Sequence, residues 1–194
     1  MSLTLELVIA FKLQNTVSCQ KWAGYGLVRI LSVLAFLLGG EEASGTVYQK
    51  PSEFIAANFG GKLPTTRALK LSGTHQAMMK RFLGHSYKPS TVRYWAQGGA
   101  FVVILEEVGK TQPITTGFVV KGGRIEQVKV LIYRESHGFE VSRSSFTKQF
   151  RKAGLTPDGK LDRRVDGIAG ATLSVRALSG LARVALYLDR VAPK

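Results

Sequence analysis

The stretch from residue 91 to residue 133 constrains the fold most strongly, because it alternates β-rich segments with short glycine-containing breaks. The breaks are Gly98-Gly99, Gly109-Lys110 and Gly122-Gly123. Glycine supplies the positive φ that tight hairpin turns need. The pattern therefore predicts an antiparallel meander of four strands, over residues 91–96, 100–107, 114–121 and 124–133.

Helical patterns lie on both sides of this meander. A short first helix is predicted from Pro51-Ser52 towards Gly60-Gly61, and a second over 73–83 that ends at Gly84. Ser144 or Ser145 is expected to cap a helix over 146–153. The last helix is predicted from about Thr172 to Leu188, with apolar residues at helical spacing. Together these elements predict an α+β fold, in which an antiparallel β-sheet meander packs against helices and a long helix ends the chain.

The N-terminus has the layout of a secretory signal. Lys12, Lys21 and Arg29 precede the apolar run 30–38, which stops at Gly39-Gly40. A membrane span needs about 20 mainly apolar residues, and this uncharged run is under half that length. We therefore predict a signal peptide over residues 1–40, with an N-terminal membrane anchor as the alternative. The protein is expected in the periplasm or on the outer face of the cytoplasmic membrane, with an N-terminal part over 41–112 and a core over 113–194.

Composition narrows the class of partner. The chain holds 27 Lys and Arg against 13 Asp and Glu, for a formal charge of +14. The cations are scattered, and neither an Arg/Lys-rich helix nor an aromatic RNA-binding strand is present, so nucleic acid is not expected. One cysteine, Cys19, and three histidines without ligand spacing predict neither a disulfide framework nor a metal site.

The sequence DGIAGATLS, residues 166–174, enters the last helix through small residues, and we call it the motif turn. Gly167, Gly170 and Ala171 leave room for another group to approach the backbone, and a helix N-terminus offers free N–H donors. These residues alone leave two interpretations open. The turn is either a phosphate site, or a structural turn in which Asp166 forms an Asx turn and Thr172 or Ser174 caps the helix.

The motif turn resembles the D-x-x-S/T-G-A-T-x-S/T flavinylation motif of the FMN-binding domain family. This family includes the C subunit of the sodium-translocating NADH:quinone reductase and the G subunit of the Rnf complex. The resemblance implies that Thr172 carries FMN through a phosphoester. It also implies that the surrounding positions belong to the cofactor site, namely Asp166, Gly167, Gly170, Ala171, Leu173 and Ser174.

A second stretch, YRESHGFEV at residues 133–141, is similar to the Y-R-E-x-x-G-x-E-V segment of one branch of this family, and we call it the Tyr133 segment. Residues 146–150 match the F-x-x-Q-F that often follows. The resemblance implies that residues 135–140 face the flavin ring, with Glu135 and Gly138 in the cofactor site and Gly138 allowing close backbone approach. His137 and Phe139 are weaker candidates for contact with the ring.

The resemblance implies an electron-transfer flavoprotein rather than a stand-alone enzyme. Its maturation would need a flavin transferase that uses FAD and magnesium, and its redox partner proteins could be membrane-bound. Two alternatives remain open. One is an interaction module without flavin, since Ala169 and Val175 stand where the family usually has hydroxyl residues. The other is a flavin reductase that acts on a diffusible acceptor.

Overall fold

The computed structural model describes residues 45–193, and the predicted signal peptide or anchor lies outside this range. Within it, six antiparallel strands form one sheet in the order β1-β6-β5-β4-β3-β2. The strands are β1 Thr46–Val47, β2 Arg67–Lys70, β3 Thr91–Gln97, β4 Ala100–Val108, β5 Pro113–Lys121 and β6 Arg124–Tyr133. The predicted meander is confirmed as β3 to β6.

Four α-helices accompany the sheet in residues 45–193: α1 Pro51–Ala57, α2 Gly73–Leu83, α3 Ser144–Thr147 and α4 Thr172–Val191. The predicted bounds of α2 are confirmed, and Gly84 ends it in the left-handed region at φ +88. Helix α4 runs one turn further than predicted. The α+β fold with a long C-terminal helix is therefore confirmed.

The helix predicted over 146–153 is wrong in its bounds and its cap. Helix α3 begins at Ser144, its N-cap is Arg143 without a side-chain hydrogen bond, and a 3-10 turn, Lys148–Phe150, follows it. The chain then turns because Lys152 takes φ +65. Residues 152 and 153 exchange backbone hydrogen bonds with Ile125 at the start of β6. Pairing with the sheet thus replaces a further helical turn.

The two edge strands, β1 and β2, were not predicted. Strand β1 has two residues, both exposed, and β2 buries one of its four, Leu69. An alternating pattern needs more residues than either strand offers. These strands exist because β6 and β3 present unpaired edges to them.

Both faces of the sheet are covered, and the larger core lies under α2 and α4. Buried side chains of α4, including Leu178 and Leu181, pack there against the β4 and β5 residues Phe101 and Phe118. The opposite face carries a small cluster under α1, around Phe54. A Cβ built on Gly117 would lie 2.5 Å from the Phe54 ring, so only glycine lets that ring lie on the strand.

Within residues 45–193 every helix falls short of the length and apolar character that a bilayer crossing requires.

Candidate functional site

The motif turn and the Tyr133 segment meet at the N-terminal end of α4 and line one cleft. The cleft has a volume of about 460 Å³, within the range of roughly 300–1,000 Å³ that ligand pockets occupy. One wall is the end of the motif turn, from Gly170 to Ser174, and the other comes from the Tyr133 segment and from the turn between β4 and β5. The lining residues are Lys110, Thr111, Glu135, Ser136, His137, Gly170, Ala171, Thr172, Leu173 and Ser174.

Thr172 is exposed and begins helix α4, which runs for 20 residues. The first hydrogen bond of the helix runs from the Val175 N–H to the Ala171 carbonyl. The N–H groups of residues 172–174 therefore precede the helical ladder and are free to serve an anion. Gly170, at φ +81, turns the chain into the helix, and a Cβ built on it would meet nothing within 4 Å.

Four hydroxyl side chains line the cleft, and three of them are engaged. Thr111 Oγ1 donates to Glu135, Ser136 Oγ lies 2.9 Å from His137 Nδ1, and Ser174 Oγ lies 3.2 Å from the Tyr133 hydroxyl. Within residues 45–193 the Thr172 hydroxyl has no hydrogen-bond partner, and it does not cap the helix. Thr172 is therefore the hydroxyl of the cleft that is available for reaction.

A hydrogen bond and close packing join the Tyr133 segment to the motif turn behind the cleft. The buried Tyr133 hydroxyl donates to the His137 carbonyl at 2.6 Å and shares a hydrogen bond with Ser174, 41 residues away. A Cβ built on Gly138, at φ +83, would lie 3.2 Å from the Ala171 Cβ. Burial raises the pKa of Tyr133, the Ser174 hydrogen bond opposes this, and the charges of Glu135 and Glu140 add to it. The phenol therefore stays protonated as a donor.

Glu135 holds the turn between β4 and β5. Its Oε1 accepts hydrogen bonds from the backbone N–H groups of Lys110, Thr111 and Gln112, and its Oε2 accepts one from Thr111 Oγ1. A Cβ built on Gly109 would lie 2.8 Å from this carboxylate, so the close approach requires glycine. The pKa of Glu135 lies below its ordinary value. Burial by itself raises this pKa, but the hydrogen bonds from the N–H groups lower it by more.

We expect Glu135→Gln to lower the free energy of unfolding by about 1–3 kcal/mol at pH 7, because an amide replaces a charged acceptor of several N–H groups. A depressed folded-state pKa contributes stability that is complete above the unfolded value, near 4.3, and is lost as the pH falls through the folded value. The difference between variant and wild type should therefore shrink below about pH 4.3. Urea unfolding across this pH range measures it.

Glu140→Gln is the matched control, since Glu140 lies in the same segment and its carboxylate accepts no hydrogen bond from residues 45–193. Equal stability of wild type and Glu135→Gln at pH 7 would contradict the assigned role of Glu135.

Three of the predicted residues, Asp166, Gly167 and Gly138, lie outside the lining. The Asp166 carboxylate pairs with Arg164 at 3.2 Å, and both side chains are largely exposed. Gly167 is exposed, with nothing within 4 Å of a built Cβ. Gly138 is buried behind the cleft wall. Of the two weaker candidates, His137 lines the cleft, whereas Phe139 is 47 % exposed beside it and carries the Arg143 guanidinium over its ring.

The structural alternative for the motif turn is not observed. The N-cap of α4 is Ala171, without a side-chain hydrogen bond, so neither Thr172 nor Ser174 caps the helix. The Asp166 backbone N–H donates instead to Gln149 Oε1 at 2.8 Å. Gln149 lies in the F-x-x-Q-F segment, and this contact gives that segment a role in holding the turn.

Lys110, Thr111 and Gln149 belong to the site or support it, and none of them was among the predicted site residues. Lys110 and Thr111 follow a glycine that was interpreted only as a hairpin break. They reach the cleft because Glu135 binds their backbone, a contact across 24 and 25 residues. Gln149 is part of the F-x-x-Q-F match, but that match does not indicate that its side chain binds the Asp166 N–H.

Among residues 45–193, the His, Cys, Asp and Glu side chains form no cluster of three that could hold a metal ion.

Comparison with known proteins agrees with the location of the cleft. Residues 109–187 match the model of a family described as the FMN-binding domain. The match begins at the turn held by Glu135 and ends within α4, so it includes every residue that lines the cleft. A comparison with curated proteins finds no match. This match therefore supports an FMN-binding domain over residues 109–187 of the chain.

Proposed function

We propose that this chain is an exported flavoprotein that carries FMN covalently on Thr172 and transfers electrons between redox partners. The observation that carries the proposal is the exposed Thr172 hydroxyl, which is free of hydrogen bonds within residues 45–193 and lies in the wall of the cleft. Export is supported by the N-terminal sequence. On the same basis we propose that the protein lies in the periplasm or on the outer face of the cytoplasmic membrane.

The residues of the cleft fit a phosphate ester at this position. The N–H groups of residues 172–174 and the positive end of the α4 dipole favour an anion there. Lys110 adds a positive charge on the opposite wall. The Glu135 carboxylate is directed into the β4–β5 turn, where N–H groups neutralise it. FMN, when bound, supplies an isoalloxazine ring that takes up and releases electrons.

Maturation is proposed to need a flavin transferase that uses FAD and magnesium. Such an enzyme must reach the Thr172 hydroxyl, and the turn before it is exposed on both sides of Ile168. The exposed Asp166 carboxylate is available for that encounter, since its pairing with Arg164 takes place in solvent and contributes little.

Apolar and positively charged groups border the cleft and form a surface for redox partners. Leu173 and Phe139 are 46 % and 47 % exposed. The Arg143 guanidinium lies over the Phe139 ring, and Arg176 follows Leu173 by about one turn of α4. With a formal charge of +14 on the chain, we propose partners that present an acidic surface around their own redox centre.

A module without flavin is the second candidate, because Ala169 and Val175 lack the hydroxyls common at their positions. Flavin fluorescence of the wild-type band on a denaturing gel separates this module from the flavoprotein. Protein from its native host, or from a host with a flavin transferase, is expected to fluoresce. A band without fluorescence, together with the mass of the bare polypeptide, would rule the flavoprotein out.

Electron transfer to an acidic redox protein is expected to slow several-fold as ionic strength rises from about 10 mM to about 300 mM, because salt screens the attraction between the surfaces. Stopped-flow oxidation of the reduced flavoprotein measures the rate. A small neutral acceptor is the control and should show a flat profile. A flat profile with the acidic protein as well would contradict the proposed partner, and rapid steady-state turnover of the small acceptor would favour a reductase.

A further inference from the structure

A second and larger cavity lies on the other side of the β4–β5 turn. Its volume is about 810 Å³, within the usual range of small-molecule sites. Val108 and Pro113 line it, whereas Lys110 and Thr111, within the turn, line the cleft described above. The two cavities therefore share this turn as a wall, and they have no lining residue in common. We call the second cavity the β3–β4 groove.

The groove exists because β3 and β4 separate. They pair from Gln97 with Ala100 up to Tyr94 with Val103, and the pairing ends there. Residues 91–93 of β3 continue to pair with β2, while β4 continues to pair with β5 as far as Val108. The two strands thus diverge, and Ile104, Glu106 and Val108 of β4 line the opening.

The lining is mainly apolar and includes an ordered aromatic wall. Trp95 is fixed because its indole Nε1 donates to Thr66 Oγ1 at 3.0 Å. Ile104, Ile132 and Pro64 add apolar surface beside it. A rigid indole face is suited to offset stacking with a flat aromatic molecule.

The charges of the lining balance. Glu106 and Glu107 contribute two carboxylates, and Lys88 and Arg93 contribute two cations. Both carboxylates are also engaged within the protein. Glu106 accepts a hydrogen bond from Thr115 Oγ1 at 2.5 Å and lies 3.7 Å from the Arg134 guanidinium, and His85 Nε2 lies 3.0 Å from Glu107. A lining without net charge favours an uncharged occupant.

Tyr87 supplies a hydrogen-bond donor to the groove. Its side chain is half-buried in the groove wall, and within residues 45–193 its hydroxyl has no hydrogen-bond partner. Burial, with smaller contributions from the charges of Glu107 and Glu106, raises the pKa of Tyr87 to about 12. The hydroxyl therefore remains protonated at neutral pH and available to an acceptor on a ligand.

From this geometry we infer that the β3–β4 groove is a binding site for a flat, uncharged, mainly apolar small molecule whose carbonyl oxygen accepts a hydrogen bond from Tyr87. The site is separate from the flavin cleft and does not depend on flavin. Its occupant lies against the same β4–β5 turn that Glu135 holds from the other side.

Two probes of nearly equal size test this inference, 2-acetylnaphthalene and 2-ethylnaphthalene, because only the first carries a carbonyl oxygen. The full chain is labelled with ¹⁵N and carries Trp22→Phe, which leaves Trp95 as the single tryptophan of the two in the sequence. Its indole N–H resonance reports binding in the groove. Saturable shifts are expected with both probes, and 2-acetylnaphthalene should bind about 2- to 10-fold more tightly, as one hydrogen bond allows.

Two variants locate the binding. Tyr87→Phe removes only the hydroxyl, and it should lower the affinity for 2-acetylnaphthalene to that for 2-ethylnaphthalene without changing the latter. Leu63→Asp places a charge at the groove rim. The fold should tolerate this change because Leu63 is 60 % exposed. The variant should bind both probes with lower affinity.

Absence of a saturable shift with either probe would overturn the site. If protein that keeps Tyr87 binds the two probes with equal affinity, the inferred hydrogen bond from Tyr87 to a carbonyl oxygen of the ligand is wrong. Both titrations can be run on protein without flavin. A negative result therefore does not affect the proposal for Thr172, and failure of Thr172 to carry flavin does not affect the proposal for the groove.

Discussion

A Thr172→Ala variant made in a host that has a flavin transferase is expected to carry no covalent flavin, whereas wild type gains the mass of one FMN less one water. A phosphoester needs a hydroxyl, and Thr172 is the cleft hydroxyl that makes no hydrogen bond within residues 45–193. Thr111, Ser136 and Ser174 are each held by a neighbouring side chain. Intact-mass spectrometry and in-gel flavin fluorescence measure the loss.

Two controls make this result specific. Thr172→Ser keeps a hydroxyl on the first residue of α4 and should retain at least part of the flavin. Ser136→Ala removes a different, exposed hydroxyl from the cleft and should retain all of it. Covalent flavin on Thr172→Ala would refute the assignment, and its loss from Ser136→Ala would move the attachment to the Tyr133 segment.

Gly138→Val is expected to cause the largest loss of stability near the site, about 2–5 kcal/mol in the free energy of unfolding. Gly138 has φ +83, and a Cβ there would lie 3.0 Å from the Tyr133 hydroxyl and 3.2 Å from Ser174 Oγ. The substitution therefore strains the backbone and also separates the Tyr133 segment from the motif turn. Urea unfolding at pH 7 measures the change.

Gly61→Val is the matched control, because Gly61 has φ +84 and nothing within 4 Å of a built Cβ. It should show the backbone cost alone, about 1–2 kcal/mol. If the two variants lose the same stability, the contact of Gly138 with the motif turn contributes nothing. A displaced motif turn should also reduce flavin attachment in Gly138→Val, an effect that Gly61→Val should not show.

The sequence alone was sufficient for the meander and for the long helix. Strands β3 to β6 and helix α2 follow from local signals, since hydrophobic alternation and turn glycines act over a few residues. The resemblance of a short motif also singles out Thr172, and its role as the attachment residue stays a prediction. Where local signals were weak, prediction failed: β1 and β2 form on the edges of other strands, and the chain after α3 pairs with β6 instead of continuing as a helix.

The tertiary structure alone decided how the segments meet. It brings Tyr133 to Ser174, Glu135 to the β4–β5 turn and Gln149 to Asp166, contacts between residues 17 to 41 positions apart. Within residues 45–193 it also shows which of four cleft hydroxyls makes no hydrogen bond, and it opens a groove where β3 leaves β4. Periodicity and motifs report what neighbouring residues prefer, whereas these features depend on side chains that become neighbours only when the sheet and α4 pack together.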